Sequence, residues 1–222
     1  MRSTRTWLSF ATAPLAPLLA LAILAATPAF GQSVDDDSAD KPRPGESVDA
    51  AAERINEEGK ALVRAGKYEQ ALDKFRASLD IFQLSNAIFN VGSMLHTLKQ
   101  YSDAFPYLEQ TLRAPLAPEQ RAIVLSHRAN VLHMMRMSHK DILVRTNPPG
   151  AKLSLNGKEL PFAAPTRVLV PFGAADITAT FEGFKPKTVV VQSSSQKPPT
   201  DLAIRLEREE PYAVISARCP ER

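Results

Sequence analysis

The stretch between Gly59 and Thr111 most constrains the fold, because it presents one pattern of small and large residues twice. Adding 33 to the position of each patterned residue in the first copy gives its counterpart in the second. The pairs are Gly59 and Gly92, Leu62 and Leu95, Tyr68 and Tyr101, Ala71 and Ala104, and Phe75 and Leu108. A period of this length predicts stacked pairs of short helices, with the small residues where two helices approach closely.

Apolar residues recur every three to four positions through this half of the chain, which predicts five helices. Four of the predicted helices cover about residues 48–65, 68–79, 101–113 and 119–137, and residues 80–84 extend or close the second. The third is capped by Ser85 or Asn86 and has an apolar face from Ile88 to Leu95. The fifth has a broad apolar face that includes Ile123, Val124, Leu125 and Val131. A stack of repeats exposes an apolar end unless a terminal element covers it, so the fifth helix is predicted to be that cap or half of a third repeat.

After Asp141 the apolar residues alternate with polar ones, which is typical of strands. Asn156 and Gly157 form the strongest hairpin signal of the chain, because both residues readily adopt positive φ. Further strands are predicted near 167–170, 176–182, 187–192 and 202–206. The predicted fold class is therefore α + β with two domains, a short all-α helical-repeat solenoid of about five helices followed by a small all-β antiparallel sandwich.

The predicted domain boundaries follow from these period changes. The helical repeat domain is assigned to residues 48–139 and the β domain to residues 141–208. Residues 32–47 are acidic and proline-containing with few apolar side chains, so they are predicted to be a flexible linker. Residues 209–222 are predicted to be a loosely ordered tail.

The first 31 residues have the features of a secretory signal peptide, with Arg2 and Arg5 ahead of an apolar stretch. Cleavage is predicted between Gly31 and Gln32, which makes the protein periplasmic or secreted. The alternative is an uncleaved N-terminus that anchors the protein in the membrane; otherwise the membrane is contacted only through the signal segment before cleavage. Without this segment the chain has 25 basic and 24 acidic residues, a balance that argues against nucleic acid as the partner.

No catalytic motif is found in the sequence, which contains no phosphate-binding glycine loop and no nucleophile elbow or zinc-protease signature. The four histidines all fall in the helical half, and His127 and His133 are six residues apart, on different faces of one helix. We therefore expect no enzyme activity, no cofactor and no metal site. The single cysteine, Cys219, has no partner for an internal disulfide, and an intermolecular bond or a free thiol both stay open.

Residues 52–118 resemble the tetratricopeptide repeat. The resemblance rests on the run from Ala65 to Ala71 and on its second copy around Tyr101 and Ala104. It implies a solenoid in which the first helix of each pair lines a concave face that binds a protein or peptide. The groove positions that it implies are Glu53, Asn56, Glu57, Lys60, Val63 and Arg64 in the first copy, and Asn86, Phe89, Asn90, Ser93, His96 and Thr97 in the second.

Eight of these positions form the predicted partner-binding set: Asn56, Lys60, Arg64, Asn86, Phe89, Asn90, Ser93 and His96. Asn90, Lys60 and Arg64 offer groups that hold a peptide backbone or a terminal carboxylate. The other interpretation is that these residues are solvated polar positions on helix exteriors. Phe89 favours binding, because a large apolar side chain on such a face is best covered by a partner.

The second half resembles the PEGA domain, a small β module of bacterial envelope proteins. The resemblance rests on Pro149-Gly150-Ala151, the segment from Leu153 to Gly157, Pro171-Phe172-Gly173 and the segment from Phe181 to Phe184. Together the two resemblances imply a non-enzymatic periplasmic or envelope adaptor, in which the helices bind a protein or peptide and the β domain docks to the envelope or to another protein. The alternative is an envelope protein whose β domain binds cell-wall glycan.

Overall fold

The computed structural model describes residues 40–194 and 200–209. The predicted signal peptide, its cleavage site between Gly31 and Gln32, most of the predicted linker and the tail that contains Cys219 lie outside the described residues. Those that are described belong to one compact unit. None of their helices combines the length and the apolarity needed to cross a membrane.

The predicted order of five helices followed by a β region is confirmed. The helices are α1 (Val48–Arg64), α2 (Tyr68–Ile81), α3 (Ser85–Thr97), α4 (Tyr101–Thr111) and α5 (Pro118–Met135). Breaks of three residues separate α1 from α2 and α3 from α4, and the helices of each pair pack against one another. The conformations of Gly66 and Lys99, both with positive φ, reverse the chain at these breaks.

Each helix pair closes over a glycine. A Cβ built on Gly59 would lie 2.5 Å from Cε1 of Phe75, which is buried. A Cβ on Gly92 would lie 3.1 Å from Cβ of Tyr107 and 3.3 Å from Cδ2 of Leu108. The small residues therefore do lie where two helices approach closely, as the 33-residue pattern predicts.

Helix α5 buries a narrower face than the sequence predicts. Val124 and Val131 are buried against the other helices, and Leu132 is partly buried. Ile123 and Leu125, however, are 50% and 46% exposed. Apolar residues lie on nearly opposite sides of α5, so one packed neighbour cannot cover both, and the predicted cap is only partial.

The described part of the β region contains seven strands in two sheets. The strands are β1 (His139–Asn147), β2 (Lys152–Leu155), β3 (Lys158–Glu159), β4 (Thr166–Pro171), β5 (Gly173–Thr180), β6 (Lys187–Ser193) and β7 (Asp201–Arg205). One sheet has the order β4-β1-β7 and the other the order β3-β2-β5-β6. Apolar side chains from both sheets share one core, which includes Ile142, Leu153, Ile177, Val191 and Ile204.

One strand pair differs from the predicted antiparallel sandwich. β7 pairs with β1 in parallel, with Leu143 opposite Asp201 and Asn147 opposite Arg205, so that sheet is mixed. The second sheet is antiparallel throughout. Its predicted hairpin is present, because Asn156 and Gly157 both have positive φ between β2 and β3.

The two halves are joined without a flexible linker. Only residues 136–138 separate α5 from β1, and α4 packs against β4. Leu169 of β4 is buried in the core of the helical half. The ring of Tyr107 in α4 contacts that of Phe162 edge-on, with the centroids 5.2 Å apart.

Four charged side chains cross this junction. Arg128 of α5 pairs with Glu109 of α4 and lies 3.7 Å from Asp141 of β1, which also accepts a hydrogen bond of 2.5 Å from Arg167 of β4. The hydrogen bond to Asp141 raises the pKa of Arg167. Alternating charges of this kind fix the orientation of four elements at once.

The end of the predicted linker differs from the prediction. Asp40 accepts a hydrogen bond of 2.5 Å from Lys74 of α2, and Glu46 pairs with Arg54 of α1 at 3.0 Å. These ion pairs hold residues 40–47 against the first helix pair. Asp40 and Glu46 are acidic residues of the predicted linker, and each makes its contact with a basic side chain.

Candidate functional site

Hydrogen bonds join the first helix of each pair to the first helix of the next along one face of the helical half. The bonds run from α1 to α3 and from α3 to α5, and each spans 33 or 34 residues. We call this surface the ladder face. Its bonded pairs are Glu53 with Asn86, Asn56 with Asn90, Ser93 with His127 and His96 with Asn130.

The Asn56 and Asn90 pair lies deepest in the ladder face. Asn90 Nδ2 donates to Asn56 Oδ1 at 2.9 Å. Asn56 is fully buried, and its Nδ2 has no hydrogen-bond partner among the described residues. Its part in a partner site is therefore indirect, because it orients the half-buried Asn90.

Aromatic rings stack on the ladder face between α3 and α5. The imidazoles of His96 and His127 are nearly parallel, with centroids 4.6 Å apart. The ring of Phe89 is also stacked with His127, with the centroids 6.4 Å apart, and Tyr101 meets His96 edge-on at 5.8 Å. These rings form a continuous, largely apolar surface that still carries ring nitrogens for hydrogen bonding.

Burial lowers the pKa of His127, and the neighbouring His96 lowers that pKa further. Its Nδ1 lies 3.4 Å from Ser93 Oγ. The imidazole of His127 is therefore uncharged at neutral pH. A partner that contacts it does not need an acidic group to compensate for a positive charge.

A cavity of about 320 Å³ opens beside this stack, at the end of the ladder face nearest the start of α3. Asn86, Phe89, Leu116, Ile123 and Val124 are among its lining residues. Most of the lining is apolar, and Ile123 is half exposed at the rim. A volume of a few hundred Å³ lies at the lower end of the range of ligand pockets and is large enough for one bulky side chain.

Lys60 and Arg64, the two basic residues of the predicted partner-binding set, do not line this cavity. Lys60 pairs with Glu57 at 2.6 Å on the surface of α1, and Arg64 is exposed in the last turn of the same helix. The structure thus brings together Asn86, Phe89, Asn90, Ser93 and His96, which are five of the eight predicted residues. Lys60 and Arg64 form a separate, basic end of the face.

His127, Asn130 and Ile123 belong to the ladder face but were missed by the sequence prediction. The two histidines of the stack lie on different helices, and the sequence reasoning compared only histidines of the same helix. His127 and Asn130 lie 34 residues after Ser93 and His96, so extending the predicted set by that offset into the fifth helix would have identified both. The fifth helix continues the series that the two complete copies begin.

A second cavity, of about 620 Å³, lies between the helical half and the β2–β3 hairpin. Lys158 of the hairpin donates to Asp103 of α4 at 2.7 Å across it. Burial raises the pKa of Tyr107, whose ring forms part of the wall. The lining of this cavity includes acidic and basic side chains but none of the eight predicted partner-binding residues.

The described residues contain no group of three or more His, Cys, Asp or Glu side chains arranged to hold a metal ion. A search of the curated proteins found no match for this chain. The helical half matches no tetratricopeptide model, so that resemblance stays a prediction. Residues 139–210, which contain all seven strands, match the family model of the PEGA domain, and this confirms the resemblance predicted for the β half.

Proposed function

We propose that the protein is a non-enzymatic adaptor of the cell envelope. In this proposal the ladder face binds a peptide segment of a partner protein, and the PEGA domain docks to the envelope or to another protein. PEGA domains are typical of extracellular and periplasmic proteins, which agrees with the predicted signal peptide. The observation that carries the proposal is the apolar cavity beside Phe89, which opens on the same face as the predicted binding residues.

The ladder face is suited to an extended peptide because it combines this cavity with a row of side-chain amides. Asn90 uses one amide proton for Asn56, and Asn130 uses its oxygen for His96. Among the described residues, Asn90 Oδ1 and Asn130 Nδ2 have no further partner. An amide oxygen and an amide nitrogen of this kind bond to the N–H and C=O groups of an extended backbone.

The ladder also lowers the cost of binding. The bonds between α1, α3 and α5 hold the polar groups in place before a partner arrives, so fewer side chains lose freedom on association. The partner that fits best supplies one large apolar side chain for the cavity and a neighbouring uncharged stretch of backbone. This is a peptide-in-groove mode of recognition.

The alternative, glycan binding by the β half, has less support. Sugar sites usually present exposed aromatic rings, and the four phenylalanines between Phe162 and Phe184 are all partly buried in this region. Phe162 packs on Tyr107, and Phe181 packs edge-on against Phe184 at 5.6 Å. Among the described residues of the β half, no aromatic ring is fully exposed, so this alternative has the weaker support.

The test is a selection of displayed random peptides on the purified protein, followed by affinity measurements with two matched variants. Ile123→Lys places a charge at the rim of the cavity, whereas Leu125→Lys places one at an equally exposed position on another side of α5. We expect peptides with a large apolar residue, and an affinity at least about tenfold lower for Ile123→Lys only.

Equal loss in both variants, or no enriched peptide, would contradict binding at the ladder face. A parallel co-sedimentation of the protein with purified cell-wall sacculi examines the alternative. Pelleting with bare sacculi that persists in Ile123→Lys would favour glycan binding by the β half.

A further inference from the structure

The edges of the two β sheets are protected to different degrees. Open edges present unpaired N–H and C=O groups and invite pairing with another strand unless they are short, charged or covered. β3 is only two residues long, and β4 is covered by α4 and ends in Pro171. β7 has the charged residues Asp201 and Arg205 at its ends, and the carbonyl oxygen of Arg205 accepts a hydrogen bond of 3.0 Å from Lys187 Nζ.

β6 is less protected. It begins with Lys187, whose Nζ donates to the carbonyl oxygen of Arg205, but it carries no other charge. It pairs with β5 along its whole length of seven residues, from Lys187 to Ser193. Within residues 40–194 and 200–209, no segment pairs with its other side. From Thr188 to Ser193 the strand contains no charge and no proline, and Val190 at its centre is 59% exposed. A strand of this length and composition is an open pairing site.

We propose that β6 pairs antiparallel with β6 of a second copy of this chain. A two-fold axis through Val190 would place Val190 opposite its own copy, Thr188 opposite Gln192 and Lys187 opposite Ser193. In this register an exposed apolar residue is covered by its equivalent, and no like charges face each other. The pairing is isologous, so it closes at a dimer and joins two four-stranded sheets into one continuous sheet.

The rest of the fold leaves room for this pairing. In the sheet order β3-β2-β5-β6, the strand β6 is at the edge opposite β3. The helical half contacts the β2–β3 hairpin and β4, which lie at the other edges of their sheets from β6 and β7. Ser194, the residue after β6, lines a cavity with Leu132 and Met135 of α5. A second copy would therefore pair along Lys187 to Ser193 with α5 close to one end of the strand. The dimer would offer two ladder faces, and a partner with two binding segments would gain affinity through avidity.

An extended segment of a different protein also fits an open strand edge. The self-matching register favours a second copy, because a single uncharged strand with Val190 at its centre meets itself without a clash of charge. The area buried by one strand pair is small, so the dimer is expected to form at high protein concentration and to dissociate on dilution.

The first test is sedimentation velocity of the purified protein over a micromolar to millimolar dilution series. Val190→Lys places two lysines opposite one another, whereas Val190→Thr keeps a β-branched, uncharged side chain. We expect a dimer for the wild type and for Val190→Thr, and association about tenfold weaker or absent for Val190→Lys. Val190 is mostly exposed, so circular dichroism is expected to show all three proteins folded.

The second test is a cross-link in a Cys219→Ser background. Val190→Cys is expected to form a covalent dimer on mild oxidation or with a short bifunctional thiol reagent, whereas Lys152→Cys, two strands further in, is not. A wild type that stays monomeric throughout the series, equal association of Val190→Lys, or equal cross-linking of Lys152→Cys would each overturn the proposal. Capture of another protein by a monomeric β6 edge would overturn it as well.

Discussion

The helix pairs α1–α2 and α3–α4 carry the same sequence pattern, yet they are closed in different ways. In the first pair the space over Gly59 is filled by the tip of the Phe75 ring. In the second pair the space over Gly92 is limited by Cβ of Tyr107, an atom that cannot move without its backbone, and by the branched end of Leu108. A small residue is needed at both positions. At Gly59 the ring of Phe75 limits the space, whereas at Gly92 helix α4 itself limits it.

The largest expected effect comes from Gly92→Leu. Four additional side-chain carbons would be forced against α4 at a position without free space, and overpacking of this kind costs about 3 kcal/mol. Thermal unfolding followed by circular dichroism should show a strong loss of stability. The control is Ala61→Leu on the exposed side of α1, which should leave the melting temperature nearly unchanged, and an unchanged melting temperature for Gly92→Leu would refute this helix register.

Alanine substitutions at the same two positions are expected to change the stability of the protein by different amounts. Gly59→Ala places a Cβ 2.5 Å from the buried ring of Phe75, so the ring has to shift at a cost of roughly 1–3 kcal/mol. Gly92→Ala makes a contact of 3.1 Å, and the better helix propensity of alanine, about 1 kcal/mol, offsets it. Chemical denaturation measures both; equal effects would mean that the two pairs are closed alike.

The two junctions of the ladder differ in burial and can be compared in the same way. Asn90→Ala leaves the oxygen of fully buried Asn56 without its donor, which costs roughly 1–2 kcal/mol. Asn130→Ala removes a hydrogen bond to His96 at an exposed position and should cost no more than a few tenths of a kcal/mol. The free energy of unfolding from urea titration decides this, and a larger loss for Asn130→Ala would reverse the predicted order.

The smallest expected effect is a pH dependence of protein stability that arises from His127, at the junction between α3 and α5. The pKa of His127 is lowered in the folded protein, so the unfolded chain binds a proton more readily below the ordinary value of 6.5. Stability is therefore unaffected well above that pH and decreases as the pH falls through it. Melting temperatures between pH 8 and pH 5 should show this decrease in the wild type.

His127→Gln should show a smaller decrease of the melting temperature over the same range. Part of the decrease should remain, because burial lowers the pKa of His139 as well. His133→Gln changes an exposed histidine of the same helix and serves as the control. A pH dependence that is the same in His127→Gln as in the wild type would contradict the assignment.

Local signals in the sequence predicted most of the fold. The three-to-four-residue apolar period predicted the five helices that the structure contains, and Asn156 and Gly157 adopt the positive φ that their residue types favour. The parallel pairing of β7 with β1 was not predicted, because alternation shows that a segment is a strand and does not name its neighbour. The mixed sheet depends on contacts between residues about 60 positions apart, such as Leu143 and Asp201.

The candidate site was predicted less completely than the fold. Phe89, Asn90 and His96 could be grouped from the sequence, because they lie on one helix, α3, but their role in binding stays a prediction. The burial of Asn56 could not be foreseen, since asparagine is usually exposed and its single bond to Asn90 depends on how α1 meets α3. The same holds for the stacking of His127 on His96, which requires the position of a third helix.

The short connection between α5 and β1 has a geometric consequence. His127 faces the ladder, while the next residue, Arg128, is tied to Glu109 and lies close to Asp141, and the chain enters β1 only three residues after α5 ends. Because only three residues separate α5 from β1, the distance from the ladder face to β6 is constrained by the chain itself. In the proposed adaptor, two partners bound at these surfaces would be held at a set spacing, and a force applied to one would reach the other directly.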